Sequence, residues 1–216
     1  MTELLPAILL ALGYLLLFAG AEALHRLAGA PVEWSRKFMH VAGGGLSLLL
    51  PVLFTTPYMV LVLAFAFGVL LWGTRRLGLL QSVHAVSRPS QGSVLFPIPI
   101  FICFLLMYGR SVPALFYVPV LILTVADPLA FAVGTRWPWH PYRIGASTKT
   151  WSGTLAFAFA AFLLSVGYLS QTHSLPMALG ISLILCVVTA FAEAVSDYGF
   201  DNLTVPLAAA GVLILS

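Results

Sequence analysis

Charged side chains are scarce in this sequence: only 8% of its 216 residues are Asp, Glu, Lys or Arg, while 61% are hydrophobic. A soluble domain carries about 25% charged residues. So little charge excludes a water-soluble enzyme or binding domain, because no soluble core could absorb so much apolar chain. Apolar runs recur from one end to the other, so residues 1–216 are predicted to form a single transmembrane domain.

Cysteine is nearly absent as well. Cys103 and Cys186 both fall in apolar runs, and no C-x-x-C spacing exists, which excludes a disulfide scaffold and a thiolate metal site. The first apolar run follows no basic segment and precedes no small-residue cleavage site, so we expect it to be a retained helix and not a signal peptide.

The apolar runs have the length of membrane-spanning helices, which need about 20 residues to cross the hydrocarbon. The sequence therefore predicts an all-α, polytopic membrane protein with about eight transmembrane helices. Seven remain possible, because the last run is short. The predicted spans are residues 4–24, 38–54, 58–72, 93–108, 112–133, 152–169, 175–194 and 203–215.

Basic residues gather on one side of this arrangement, and only Arg110 falls on the other. The positive-inside rule puts such loops in the cytoplasm and both termini on the non-cytoplasmic side. We expect an integral, multi-pass protein of a prokaryotic plasma membrane, surrounded by membrane lipids and without a nucleic-acid partner. The basic residues on the predicted cytoplasmic side are Arg26, Arg36, Lys37, Arg75, Arg76, Arg88, Arg136, Arg143 and Lys149.

A first polar cluster opens the second predicted span, where Arg36, Lys37 and His40 lie within one helical turn. Three cationic or polar groups can then share one face of the helix. The glycines at 43–45 that follow would let another helix, or a ligand, approach the backbone. An orientation anchor with a helix-packing seam would give the same pattern.

A second cluster centres on Asp127, inside the otherwise apolar fifth span. Pro128 has no N–H, so the carbonyl of Thr124 one turn earlier should be free, leaving a carboxylate and a carbonyl oxygen close together. Oxygen ligands of this kind suit Mg²⁺. The alternative is an aspartate that pairs with a neighbouring arginine for structural reasons.

A third cluster precedes the sixth span, where one lysine and several hydroxyls stand at a helix start and could cradle a phosphate. The segment is not a P-loop, because Thr148 stands where that motif has glycine and no strand is predicted before it. A capped helix start without a ligand is the alternative. The polar side chains are Ser147, Thr148, Lys149, Thr150 and Ser152.

A fourth cluster follows the seventh span. Glu193 and Asp197 are one helical turn apart, and a loop then delivers Asp201 and Asn202. Three carboxylates without a basic neighbour in sequence need a counter-charge, which a divalent cation or the basic loops would supply. An ordinary solvated loop is the alternative. Together the four clusters put cations, hydroxyls and carboxylates on one membrane face, the mixture that phosphoryl transfer from a nucleotide requires.

The ordered set of motifs resembles the polyprenol kinase family, which includes dolichol kinases, phytol kinases and CTP-dependent diacylglycerol kinases. The resemblance covers residues 33–207, and the DNLTVPL tail and short length are most similar to the phytol kinase branch. Phe200 and Ser152 stand where acids are common in the family, which leaves the number of metal ligands open. The matching segments are Arg36-Lys37-x-x-His40, Asp127 with Gly134, Lys149-Thr150-Trp151-x-Gly153, and Asp201-Asn202-Leu203-Thr204-Val205-Pro206-Leu207.

The resemblance implies a kinase that phosphorylates a lipid alcohol from the bilayer, with Mg²⁺ as cofactor and a nucleoside triphosphate, typically CTP, as donor. The implied catalytic residues are Asp127, Lys149, His40 and Asp201, with the general base open among Asp127, Asp201 and His40. The implied nucleotide contacts are Arg36, Lys37, Gly134, Arg136, Arg143, Ser147, Thr148, Thr150 and Asn202. The implied metal ligands are Asp127 and Asp201, with Glu193 and Asp197 as further candidates.

Two rival functions remain from the sequence. A CTP-dependent diacylglycerol kinase or a phosphatidate cytidylyltransferase-like enzyme would use similar groups, although the His-Gly-Gly-x-x-Asp-Arg signature of the latter is absent. A small membrane transporter would use Asp127 and the proline-broken spans as a pore, but its charges should spread through the midplane. The choice between CTP and ATP and the oligomeric state are open.

Overall fold

A computed structural model of the chain describes residues 3–84 and 90–216; the predicted basic residue Arg88 lies outside them. The described residues are almost entirely helical, as the sequence predicts. The elements are α1 (Leu4–Ala28), α2 (Val32–Ser47), α3 (Leu50–Leu53), α4 (Pro57–Arg76), α5 (Gln81–His84), α6 (Gly92–Leu95), α7 (Pro97–Arg110), α8 (Ala114–Leu121), a π-helical turn (Ile122–Ala126), α9 (Asp127–Arg136), β1 (Pro141–Ile144), β2 (Ser147–Thr150), α10 (Trp151–Leu169), α11 (Leu175–Val195) and α12 (Asp201–Leu215).

Among the described residues, six helical segments are long and apolar enough to cross a membrane, which makes the chain an all-α, polytopic membrane protein. The predicted second span is divided into α2 and α3 by Leu48 and Leu49. The predicted eighth span corresponds to α12, which has only 15 residues. The long segments are Leu4–Leu27, Pro57–Arg76, Gly92–Arg110, Ala114–Arg136, Trp151–Leu169 and Leu175–Val195.

The segment Ala114–Arg136 is the central helix of the fold. Of the 18 residues in its most apolar stretch, 56% are buried inside the protein, against 11% for the corresponding stretch of α4. One side packs in a core with α10, α11 and α12, and the other side packs against α7, in a second core to which α1 also contributes. Asp127 therefore belongs to the element that the other helices surround.

Most of the prolines in the apolar spans stand where a missing N–H costs least. Pro57 and Pro97 begin α4 and α7, and Pro113 immediately precedes α8. The first N–H groups of a helix have no intrahelical acceptor, so proline is tolerated there. Pro119 and Pro128, in contrast, lie inside the continuous helical segment Ala114–Arg136.

A short β-hairpin joins α9 to α10, and the sequence did not predict it. β1 and β2 pair antiparallel, with Tyr142 opposite Lys149. The expectation that no strand precedes the sixth span was therefore wrong. Strands of four residues are too short for the alternating pattern that identifies a strand in a sequence. The turn between them contains Gly145 at φ +54°, a left-handed conformation that glycine adopts without strain.

Candidate active site

A polar cavity of about 470 Å³ lies at the end of the bundle that carries the hairpin. Its walls come from α2, α9, the hairpin, α10, α11 and α12, which are distant in sequence. All four sequence clusters contribute to it. Of the predicted site residues, the cavity is lined by Lys37, Asp127, Gly134, Thr148, Lys149, Thr150, Glu193 and Asp201.

The Asp127 carboxylate is held by two residues of α2. Lys37 Nζ donates to Asp127 Oδ2 at 2.7 Å, and His40 Nε2 lies 3.6 Å from the same oxygen. The three side chains are only about one-tenth exposed. The sequence allowed a structural pairing of Asp127 with an arginine, and the partner in the structure is instead Lys37, a member of the first cluster.

The π-helical turn directly before Asp127 changes which carbonyl is free. In a π turn the N–H bonds to the carbonyl five residues earlier. The carbonyl left without a backbone donor by Pro128 is then that of Leu123, and His40 Nε2 bonds to it at 2.8 Å. The free carbonyl of Thr124 stays a prediction; it assumed α-helical register, which the π-helical turn replaces at this point.

His40 serves as a hydrogen-bond donor in this arrangement. A carbonyl oxygen only accepts, so Nε2 must carry the proton that it gives to Leu123. While that bond exists, Nε2 cannot accept a proton from a substrate. The Nε2 bond thus ties His40 to the π-helical turn beside the Asp127 carboxylate.

The glycine run of α2 allows the close packing that the sequence suggested for it. A Cβ on Gly44 would overlap the side chain of Thr124 in the π-helical turn. α2 can therefore lie directly against that turn, which brings Lys37 and His40 to Asp127.

A second lysine–carboxylate pair faces the same cavity from the other side. Lys149 Nζ, on β2, donates to Glu193 Oε1 at 2.6 Å and also to the main-chain carbonyl of Glu193. The counter-charge that the fourth cluster required thus comes from a basic loop, as the sequence suggested. Glu193 Oε2, in contrast, is buried and has no hydrogen-bond partner among the described residues.

Asp197 and Ser147 hold the hairpin and do not line the polar cavity. Asp197 accepts bonds from Ala146 N at 2.8 Å and from Ser147 Oγ at 2.5 Å. A Cβ on Gly145 would overlap the Asp197 carboxylate, so the turn needs glycine for space as well as for conformation. These contacts anchor the hairpin on the segment that follows α11.

Thr150 ends β2 and caps α10, as the sequence allowed for a helix start. Its Oγ1 accepts the N–H of Gly153 at 3.1 Å. Gly134 and Gly153 face each other where α9 crosses α10, and a Cβ on Gly134 would overlap Thr150 Oγ1. Gly134 therefore lines the cavity and also permits this crossing, which gives a packing reason for a glycine that the sequence assigned to nucleotide binding.

A narrower cavity of about 80 Å³, here called the neck, adjoins the polar cavity and shares Lys37, Asp127 and Asp201 with it. Arg36, His40 and Asn202 line the neck but not the polar cavity. Arg36 bonds to Glu33 at 2.9 Å, and its Nε is buried without a hydrogen-bond partner among the described residues.

Arg136 and Arg143, predicted as helpers in phosphate binding, are exposed and line neither cavity. The Arg136 guanidinium stacks over Trp137 at 5.7 Å, and Arg143 bonds to the carbonyl of Gly145 at 3.3 Å. Arg136 is the last residue of α9 and Arg143 lies in β1, so both are beside the polar cavity and not in its wall.

Sequence reasoning missed several wall residues. Glu33, Thr135 and Thr154 line the polar cavity, and Ser93 and Tyr14 line the neck. Glu33 could have been found, because it lies three residues before Arg36 and pairs with it at helical spacing. Tyr14 gave no signal, since a tyrosine in an apolar span is common near membranes.

The carboxylates of the polar cavity fit part of the ligand set of a magnesium ion. Within residues 3–84 and 90–216, no group of three or more His, Cys, Asp or Glu side chains is close enough to hold a metal ion by itself. Mg²⁺ usually takes one or two carboxylates plus substrate phosphates. Asp127, Asp201 and Glu193 line one cavity and could supply such carboxylates, and Oε2 of Glu193 is buried without a hydrogen-bond partner among the described residues.

Apolar helices around a polar cavity of lysines, hydroxyls and carboxylates define a polytopic membrane protein with a charged internal site. The chain is 33% identical over 193 residues to the phytol kinase of Synechocystis sp., which covers 88% of this chain and 82% of that protein. It belongs to the polyprenol and phytol kinase family. No family model and no solved structure matches the chain.

Proposed function

We propose that this protein is a membrane kinase that transfers the terminal phosphate of a nucleoside triphosphate, by preference CTP, to the hydroxyl of an isoprenoid alcohol in an Mg²⁺-dependent reaction. The observation that carries this proposal is the single polar cavity in which Lys37, Asp127, Lys149, Glu193 and Asp201 converge. The relationship to a phytol kinase supports an isoprenoid alcohol as the acceptor.

The triphosphate would lie in the polar cavity. Lys149 enters it from the hairpin and Lys37 from α2, so the two ammonium groups approach from opposite walls. Thr148 and Thr150 add hydroxyl donors beside Lys149. Phosphate oxygens would replace the carboxylates as lysine partners, because a polyanion attracts an ammonium more strongly than a single carboxylate does.

Asp127, Asp201 and Glu193 would hold Mg²⁺ against the phosphates, where the ion neutralises charge on the transferred group. Binding of the nucleotide would therefore change the partners of both the lysines and the carboxylates. Each lysine gives up a carboxylate for a phosphate, and each released carboxylate becomes available to the ion. Asp197 is not needed for this role, since its oxygens hold the hairpin turn.

The acceptor hydroxyl would enter from the neck, whose walls share Lys37, Asp127 and Asp201 with the polar cavity. Its oxygen attacks the terminal phosphorus, the bond from that phosphorus to the bridging oxygen breaks, and the nucleoside diphosphate leaves. The hydroxyl proton passes to a carboxylate that faces both cavities, Asp127 or Asp201. We further infer that the polar cavity faces the cytoplasm, where nucleotides are available.

The test uses purified protein in lipid nanodiscs with Mg²⁺, each nucleotide in turn, and phytol, farnesol, geranylgeraniol, undecaprenol and diacylglycerol as acceptors. CTP labelled at the γ-phosphate should label a prenol, and CTP labelled at the α-phosphate should not. Label from the α-phosphate on lipid would identify a cytidylyltransferase, and phosphorylation of diacylglycerol alone would identify a diacylglycerol kinase. Solute flux into proteoliposomes without nucleotide would favour a transporter.

A further inference from the structure

A third cavity, of about 70 Å³, lies beyond the neck and is apolar. Residues of α1, α2, α3, α4 and α7 line it, and its polar side chains are Tyr14 and Ser47. The Tyr14 hydroxyl donates to the carbonyl of Gly43 at 3.0 Å and is 2.7 Å from Ser47 Oγ. Because these two groups bond to each other and to the backbone, the cavity presents a hydrocarbon wall.

The three cavities adjoin one another in a row. The neck shares Lys37, Asp127 and Asp201 with the polar cavity. At its other end it shares four residues with the apolar cavity, namely Tyr14, Phe18, Leu71 and Phe96. A molecule in this row would have one end among cations and carboxylates and the other end among hydrocarbon side chains.

The apolar cavity also reaches the surface that faces the lipid. A groove between α4 and α7 shares Ala64 and Pro97 with it. The outer rim of the groove includes Phe65 and Trp72, which are 72% and 54% exposed on a surface that only hydrocarbon would cover favourably. A lipid tail could therefore pass from the bilayer into the interior without crossing a polar region.

We propose that the neck and the apolar cavity bind the lipid alcohol, with the hydroxyl beside Asp127 and the single isoprenoid tail between α1, α4 and α7, an assignment that rests on the proposed kinase activity. The tail enters from the bilayer between α4 and α7 at Ala64 and Pro97. The row of cavities follows α2 from Arg36 to Ser47, about 17 Å of helix rise.

The small volume of this path bears on which lipids fit. The neck and the apolar cavity have volumes of only about 80 and 70 Å³. Such volumes favour one chain over the two acyl chains of diacylglycerol. Near Ala64 the tail of a long alcohol passes the opening toward the bilayer, whereas a short alcohol ends before it, so added bulk at Ala64 should act on long chains alone.

Two matched variants of α4 test the assignment. Ala64→Trp fills the far end of the apolar cavity, and Ala66→Trp places the same bulk at an exposed position that lines no cavity described above. The kcat/KM ratio of geranylgeraniol to geraniol should fall about 10-fold or more in Ala64→Trp and stay unchanged in Ala66→Trp. An equal loss for both alcohols, or the same shift in both variants, would overturn the assignment.

A second measurement does not depend on turnover. A long-chain alcohol with a diazirine near the tail end, photolysed in nanodiscs, should label Leu63 or Phe67, and phytol should compete for the label. Label confined to exposed positions such as Phe65 would place the tail outside and refute the assignment. If the wild-type protein phosphorylates no prenol, the kinase proposal fails, and the position of the label still decides whether the cavity binds a single-chain alcohol.

Discussion

The two ends of the helix bundle treat their carboxylates differently. At one end, Asp127 and Glu193 pair directly with lysines in the wall of the polar cavity, and one oxygen of Glu193 has no partner among the described residues. At the other end, Glu3 accepts bonds from the Thr55 backbone and side chain and from Thr56, in the tight connection between α3 and α4. Both oxygens of Glu3 thus have donors, whereas Oε2 of Glu193 has none among the described residues.

This difference bears on the stability of the two ends. A buried ion pair contributes little net stability, because removing two charges from water offsets their attraction. A carboxylate that accepts several donors in an exposed turn costs little to place there. The ion pairs at the cavity end should therefore stabilise the fold less than their short distances suggest, and a ligand that pairs with these charges would test the contrast.

The largest effect is expected for Asp127→Asn. The change keeps the shape of the side chain but removes the charge that faces both Lys37 and the transferred phosphate. We expect phosphate transfer to fall about a thousandfold or more. Glu3→Gln removes one carboxylate at the opposite end and should retain wild-type activity. Both proteins should elute as folded, detergent-solubilised material in size-exclusion chromatography, and near-normal transfer by Asp127→Asn would refute its role.

The His40 variants should distinguish positioning from proton transfer. His40→Gln retains an N–H that can reach the carbonyl of Leu123, and His40→Leu does not. We expect His40→Leu to lose about 10- to 100-fold in kcat, comparable to the loss of a second-shell partner of a metal ligand, while His40→Gln recovers most of it.

The pH profile of the rate provides the decisive control for His40. A positioning residue that keeps its proton leaves the profile of His40→Gln the same as that of the wild type. Loss of the acidic limb of the profile in both variants would instead show that the imidazole takes the proton from the alcohol.

The sequence could predict which residues share this site, but not which of them are in contact. The grouping of Lys37, Asp127, Lys149 and Asp201 on one face followed from their positions at the ends of apolar spans. Which lysine meets which carboxylate did not follow, since Lys37 and Asp127 are 90 residues apart and meet through helix packing. Asp197 was indistinguishable from Glu193 in sequence, because its task depends on a hairpin that four-residue strands do not reveal.

The π-helical turn is the clearest limit of sequence reasoning. Pro128 indicated a free carbonyl close to Asp127, but no local pattern predicted the π-helical turn or the bond from His40 to the Leu123 carbonyl. A Cβ on Gly44 would overlap Thr124, so the glycine run and the turn fit each other. The partner of the Leu123 carbonyl comes from another helix, 83 residues away in sequence.

Glu193→Gln should have a smaller effect than Asp127→Asn. The variant keeps a polar side chain beside Lys149 but removes the charge on the orphaned oxygen. We expect the Mg²⁺ concentration for half-maximal rate to rise about 10-fold, with a modest change in the rate at saturating Mg²⁺. An unchanged Mg²⁺ dependence would indicate that Glu193 only holds Lys149 in place, and Lys149→Met in the same titration separates the two roles.

The smallest effect belongs to the opposite end. Hydrogen bonds from the Thr55 side chain and backbone, and then from Thr56, hold the pKa of Glu3 below its ordinary value of 4.5. A carboxyl whose folded pKa is lowered adds stability above its unfolded pKa, and that stability is lost as the pH falls through the folded pKa. Glu3→Gln should therefore lower the Tm slightly at pH 7 and make no difference well below pH 4.5. A Tm difference that persists unchanged in acid would show that the charge of Glu3 does not stabilise the turn, and the contrast between the two ends would then depend on the cavity alone.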